Sequence, residues 1–264
     1  MGLVRSFGVA VAFTGAMWGQ ASARDVPAPV VAIGSAPAMP VPSTEEMQRK
    51  LADWPQMGHY REANRMLAPA AAGERRVVFY GASMTEMWGT NGSTFFPGKP
   101  YVNRGIGGQT TAQMVVRFRQ DVIDLHPQAV VILGGTNDIA GNTGPMTPEM
   151  TEGNWQSMAE LAKANGILVI LASITPSSDI PWHRGLHPAE KIRALNAWMN
   201  EYCASHGATY LDYYSVLTDA AGGMKADLTT DGVHATPKAY ALMAPLAQAA
   251  IDSALGSGET HGAR

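Results

Sequence analysis

Val77-Val78-Phe79-Tyr80-Gly81-Ala82-Ser83-Met84-Thr85 is the stretch on which the fold turns. Four apolar residues in a row, without polar alternation, read as a strand buried on both faces, and Gly81 lets the chain turn where the strand stops. The same form recurs downstream. Tyr101-Val102-Asn103 precedes the glycine cluster Gly105-Ile106-Gly107-Gly108. Ala129–Leu133 runs into Gly134-Gly135, and residues 167–174 are almost wholly apolar. Helical patterns separate these runs, at 111–125, 148–165 and 188–206; a last strand at 208–214 and a closing helix at 236–255 follow. Continuous apolar strands alternating with amphipathic helices predict an α/β fold, a three-layer α/β/α sandwich around a central parallel sheet of about five strands.

Outward from this region the composition changes. Residues 1–23 carry Arg5, an apolar run over 7–18 and Ala21-Ser22-Ala23, the small-x-small form of a signal-peptide cleavage site. The run is too short to span a bilayer, so the expectation is an exported protein, periplasmic or extracellular, with no transmembrane segment. Residues 24–42, rich in Pro, Ala and Val, read as a linker. Ser43-Thr44-Glu45-Glu46 has the S-x-x-E form of a capping box and opens a helix expected to run to about Leu67, with Met47, Leu51 and Trp54 as its buried stripe. Residues 43–255 are then one domain and 256–264 a flexible tail. The formal charge is −3, from 19 basic and 22 acidic residues, and losing Arg5 with the leader makes it 18 − 22 = −4. That balance offers no basic footprint and excludes nucleic acid as the expected partner. The single cysteine, Cys203, allows no internal disulfide and reads as a small buried hydrophobe. Oligomeric state is left open.

In open parallel sheets, ligands bind beyond the carboxyl ends of the strands. That rule selects residues 81–85, 105–109, 134–138 and 175–178. Ser83 stands at a strand-to-helix turn, the place of a nucleophile and equally of a helix cap. Asp231-Gly232-Val233-His234 puts a carboxylate three residues before an imidazole, as a base and its orienting group require, although an isolated D-x-x-H is also an ordinary loop contact. Asn137, within Gly134-Gly135-Thr136-Asn137-Asp138, could aim a carboxamide N–H at a developing oxyanion, or simply make a turn. Gly108 could offer a backbone N–H to the same oxygen. The cluster around it is not a dinucleotide fingerprint, since Thr110 stands where the third glycine belongs. His183 and His187 are four apart, but Gly185 and Pro188 argue against a helix through both, so no metal is expected there.

In this order, Ser83, Gly108, Asn137 and the Asp231–His234 pair resemble the sequence blocks of the SGNH (GDSL-like) hydrolases, a family of esterases, lipases and thioesterases with a flavodoxin-like sheet. The resemblance covers roughly residues 76–255. It implies Ser83 as nucleophile, His234 as base, Asp231 as its orienting carboxylate, and an oxyanion hole from the amides of Ser83 and Gly108 and the side chain of Asn137. No cofactor or metal is implied. The segment 105–111 is most similar to the lysophospholipase, thioesterase and acetylhydrolase branch. The sequence departs from the family at Ala82, where the G-D-S form has Asp. That departure keeps a second reading open, a catalytically impaired binding protein of the same fold. An α/β-hydrolase is disfavoured, because Thr85 occupies the last position of the G-x-S-x-G elbow. Met84, Trp88, Met146 and Trp182 lie near the strand-end face and are candidates for an acyl pocket, with lid or core packing as their other role. The expected partner is a small-molecule, lipid or glycan ester: a short-chain acyl or acetyl ester, or a lysophospholipid.

Overall fold

The computed structural model describes residues 43–257. The expected leader (1–23), linker (24–42) and the tail beyond Ser257 lie outside the described residues. Two short helices, α1 (Thr44–Ala52) and α2 (Arg61–Met66), precede β1 (Val77–Gly81) and the one-turn α3 (Ser83–Glu86). Then follow β2 (Tyr101–Gly105), α4 (Thr111–Asp121), β3 (Ala129–Leu133), α5 (Thr136–Ala140), α6 (Pro148–Ala164) and β4 (Leu168–Ala172). The chain continues through α7 (Ala189–His206), β5 (Thr209–Leu211), α8 (Tyr214–Leu217) and α9 (Pro237–Ser257).

The five strands form one parallel sheet in the order β2-β1-β3-β4-β5. Because side chains alternate across a strand, each apolar run feeds two cores. Val77, Phe79, Val131, Ile170 and Ala172 face α9, whose Ala239, Tyr240, Met243, Ala247 and Ile251 cover them. Val78, Tyr80, Val130, Ile132, Val169 and Leu171 face the opposite layer, built from Met114 and Phe118 of α4, Trp155 and Met158 of α6, and Ile192, Leu195 and Met199 of α7. With both faces covered, the sheet exposes function only at its ends. β1 lies between β2 and β3, and its register pairs Gly81 with Gly105 of β2 and Leu133 of β3, so three strand-end loops emerge side by side. Gly105 is needed for that closeness: a Cβ there would stand 2.1 Å from the backbone nitrogen of Glu86 on α3.

Three expectations are corrected. The helix expected over 43–67 is broken after Ala52. Ser43 does cap it, its Oγ accepting from the Glu46 amide at 3.1 Å. Pro55 cannot continue the helix, and the Asp53 carboxylate instead takes the amides of Met57 and Gly58 at 2.7 and 2.8 Å, with Gln56 in the left-handed region at φ 58°. Met47, Leu51 and Trp54 are exposed rather than a buried stripe, Leu51 at 76%. The last strand is three residues long, not seven. Past Leu211, the amides of Tyr213 and Tyr214 turn to the Ser173 hydroxyl at 2.9 Å each, which ends the ladder. Cys203 is buried, and burial pushes its thiol up to about 11.

Candidate active site

Ser83 is the first residue of α3, immediately past β1. Ala82 occupies the cap position, so the serine side chain is not the cap. Its Oγ instead lies 3.0 Å from Nε2 of His234. The other ring nitrogen, Nδ1, is 2.7 Å from Oδ2 of Asp231. An ionised carboxylate can only accept, so Nδ1 carries the hydrogen and Nε2 is free to accept from the Ser83 hydroxyl. The D-x-x-H spacing works because the turn closes on itself. Asp231 Oδ1 accepts from the amides of Val233 and His234 at 2.9 and 2.8 Å, leaving Oδ2 for the ring. Burial pushes the Asp231 carboxyl upward, but those amides and the imidazole outweigh it, and the net displacement is downward. Thr229 braces the same turn: its hydroxyl accepts from the Gly232 amide and donates to the His234 carbonyl, both at 2.9 Å.

A small cavity opens beside Ser83, about 20 Å³ in volume. Met84, Leu133, Gly134, Gly135, Thr175 and Trp182 are among its walls, and Asn137 also lines it. The Trp182 ring lies roughly parallel to the His234 imidazole with centroids 5.8 Å apart. Of the four side chains expected to form an acyl pocket, Met84 and Trp182 line this cavity. Trp88 does not: α3 ends at Glu86, and the next residues carry the indole inward, 2% exposed, against Phe79 and Tyr240. Its Nε1–H donates to the Thr94 carbonyl at 3.1 Å. Met146 is not among the cavity's walls; it lies between the turn at 141–144 and the start of α6.

Asn137 is buried and donates from Nδ2 to the Gln109 carbonyl at 2.9 Å. Gly108 has φ +76°, a conformation that favours glycine, and its carbonyl accepts from Nδ2 of Asn142 at 3.0 Å. The preceding residue, Gly107, donates its amide to Glu86 Oε2 at 2.9 Å. The glycine loop is thus tied to the helix that begins with Ser83. Sequence reasoning passed over Glu86 and Asn142, since neither stands in a pattern that announces its partner. His183 sits in a loop, with Nδ1–H donating to the Ala140 carbonyl at 2.6 Å. Among the described residues, no group of three His, Cys, Asp or Glu is placed to hold a metal ion.

The profile of the GDSL-like lipase/acylhydrolase family matches residues 79–242, more than half of the chain and the whole span from Ser83 to His234. The chain belongs to this family. Two solved structures are similar at a TM-score of 0.74: a candidate acylhydrolase from Bacteroides fragilis NCTC 9343, 42% identical over 76% of this chain and 97% of that one, and a GDSL-like lipase from Bacteroides thetaiotaomicron VPI-5482, 41% identical over 76% and 99%. Among curated proteins, esterase TesA of Pseudomonas aeruginosa is 28% identical over 134 residues, half of this chain and 60% of that esterase. The GDSL-like sheet is therefore present as expected, with five parallel strands and helices on both faces.

Proposed function

We propose that the protein is a serine carboxylic ester hydrolase that removes short acyl groups, acetyl foremost, through an acyl-enzyme. The observation that carries this reading is the unbroken chain Asp231–His234–Ser83 ending at a cavity of about 20 Å³. Ser83 Oγ attacks the acyl carbon while Nε2 of His234 takes its proton. Asp231 keeps the ring in the required tautomer and steadies the imidazolium. The proton then passes to the leaving alkoxide, and water repeats the sequence in reverse roles to free the acid. Negative charge on the tetrahedral oxygen is met by the amides of Ser83 and Gly108 and by Nδ2 of Asn137. The Ser83 amide suits this role, since first-turn amides have no acceptor within their own helix.

Cavity size favours a short acyl group. A water needs roughly 10–15 Å³ by the same measure, so the space takes a methyl group and not a long chain. A lysophospholipid would have to leave its acyl chain outside. Export follows from the residue 1–23 signature; among the described residues no helix is long and apolar enough to cross a membrane. A small or glycan-borne acetyl ester fits that compartment.

A series of p-nitrophenyl esters from acetyl to octanoyl tests the reading. Expected is a fall in kcat/KM of about tenfold or more along the series, one added methylene already being worth about 10-fold or more in a tight pocket. Ser83→Ala should abolish turnover with the fold intact. Preference for octanoyl would replace the acetyl reading with a lipid one. Absence of turnover on every ester by folded protein would favour the binding-protein reading that Ala82 keeps open.

A further inference from the structure

Asn137 can help an oxyanion only if its N–H end faces the cavity. A carboxamide turned by half a rotation would present its oxygen there and repel the charge it should hold. The two ends have nearly the same shape, so something must choose between them. In this protein two partners choose: the Gln109 carbonyl, which can only accept, holds the N–H end, and the oxygen end is held by a chain that runs through Asn142 to Trp182. An indole N–H can only donate, and Trp182 Nε1 donates to Oδ1 of Asn142 at 3.0 Å. The NH₂ end of Asn142 must then face the other way. It donates to Oδ1 of Asn137 and to the Gly108 carbonyl, each at 3.0 Å. With its oxygen engaged, Asn137 directs Nδ2 to the Gln109 carbonyl at 2.9 Å, and the second N–H remains for the cavity. Every bond in the chain runs in one direction, from the indole beside His234 to the expected oxyanion site. Backbone geometry builds the contact: α5 ends at the left-handed Gly141, and the Asn142 amide donates to the Asn137 carbonyl at 3.0 Å, bringing the two side chains together.

We propose that Asn142 is a positioning residue that sets the orientation of the Asn137 carboxamide and of the Gly108 peptide, and that the Trp182 N–H in turn sets Asn142. The inference rests on the oxyanion role given to Asn137 above. Because Asn142 is exposed, it can be changed without disturbing the core.

Asn142→Asp reverses the chain, since a carboxylate can accept from Trp182 but cannot donate to Asn137 or Gly108. On p-nitrophenyl acetate the variant should lose about 10- to 100-fold in kcat, up to the lower end of the roughly 100- to 1000-fold cost of losing one oxyanion donor outright. KM should stay within about twofold, as expected for an interaction made only in the transition state. In an Asn137→Ala background the same substitution should cost at least about fivefold less, the mark of two residues acting through one contact. Trp182→Phe, which keeps the ring and removes only the donor, should lower kcat in the same direction. A readout independent of turnover is the side-chain NH₂ resonance pair of Asn137 in ¹⁵N-labelled protein, which should shift in Asn142→Asp. Wild-type turnover together with an Asn142→Asp kcat within about twofold of wild type overturns the positioning role, and an equal loss in both backgrounds overturns its action through Asn137. If the wild type itself turns over no ester, the hydrolase reading fails, and the NMR arm still decides: an unmoved Asn137 resonance pair refutes the positioning chain.

Discussion

Asp138 follows Asn137 and is almost wholly buried, an uncommon place for a carboxylate. It accepts from the Thr111 amide at 3.0 Å, from the Thr111 hydroxyl, and from the Thr151 hydroxyl at 3.3 Å. Burial pushes its carboxyl above the usual value, and the Thr111 bonds offset this only in part. A raised folded value means that native protein holds the proton more tightly than unfolded chain. The stability Asp138 contributes is therefore complete below the ordinary carboxylate range and declines as pH rises through the raised folded value. In Asp138→Asn the carboxamide does not titrate, so that dependence disappears. The stability difference between wild type and Asp138→Asn should accordingly be larger at pH 4 than at pH 7, read as urea midpoints; a difference that grows with pH would refute this assignment. Ser83, Asp231 and His234 were legible as candidates because the segments carrying them, each ambiguous alone, follow one another in the order of the GDSL-like sequence blocks. Asn142 and Glu86 were not, since their partners lie on other loops and no spacing encodes them.

Among the secondary-structure elements, four of the five strands and the long helices α4, α6, α7 and α9 fall within a few residues of the ends that periodicity expects, while the short α5 and α8 were not expected. Their burial is set by runs long enough to carry a pattern. The failures share a cause: side chains that capture backbone amides. Asp53 breaks the first helix and Ser173 stops β5, and neither action leaves a hydrophobic period to read. Exposure of the α1 face carries its own consequence. Leu51→Ser should change stability by no more than about 0.5 kcal/mol, as for a surface position. Ile170→Ala, in the middle of β4 and fully buried, should cost about 2–5 kcal/mol. Equal effects in chemical denaturation would show that the α1 face is covered after all. Gly105→Ala drives a methyl into α3 where backbone cannot yield, so it should disturb the Ser83 turn along with stability.

Across the molecule as a whole, Arg117 joins the loops that carry the site. Fully buried on α4, it donates to the carbonyls of Gly81 and Arg104 at 3.0 Å each, to Gln109 Oε1 at 2.5 Å and to Asp121 at 3.1 Å. Its guanidinium also lies over the Tyr80 ring, 4.2 Å from the ring centre. One side chain thus ties the ends of β1 and β2 and the glycine loop into a single platform. Arg117→Met leaves Asp121 buried without its partner and should cost about 3–5 kcal/mol. A loss under about 1 kcal/mol, the size typical of a surface pair, would mean that the platform holds itself together without it. Nothing in the sequence singles out Arg117 from its neighbour Arg119, because only the fold decides which arginine turns inward.

The proposed chemistry depends above all on Ser83 being the nucleophile, activated by His234. Intact-mass analysis after exposure to a fluorophosphonate reads this directly. Folded wild type should gain one adduct, mapped to Ser83 by peptide digestion, while Ser83→Ala stays unmodified and His234→Ala labels far more slowly. A folded wild type that gains no adduct, or gains it at another residue, would show that Ser83 does not hold this role.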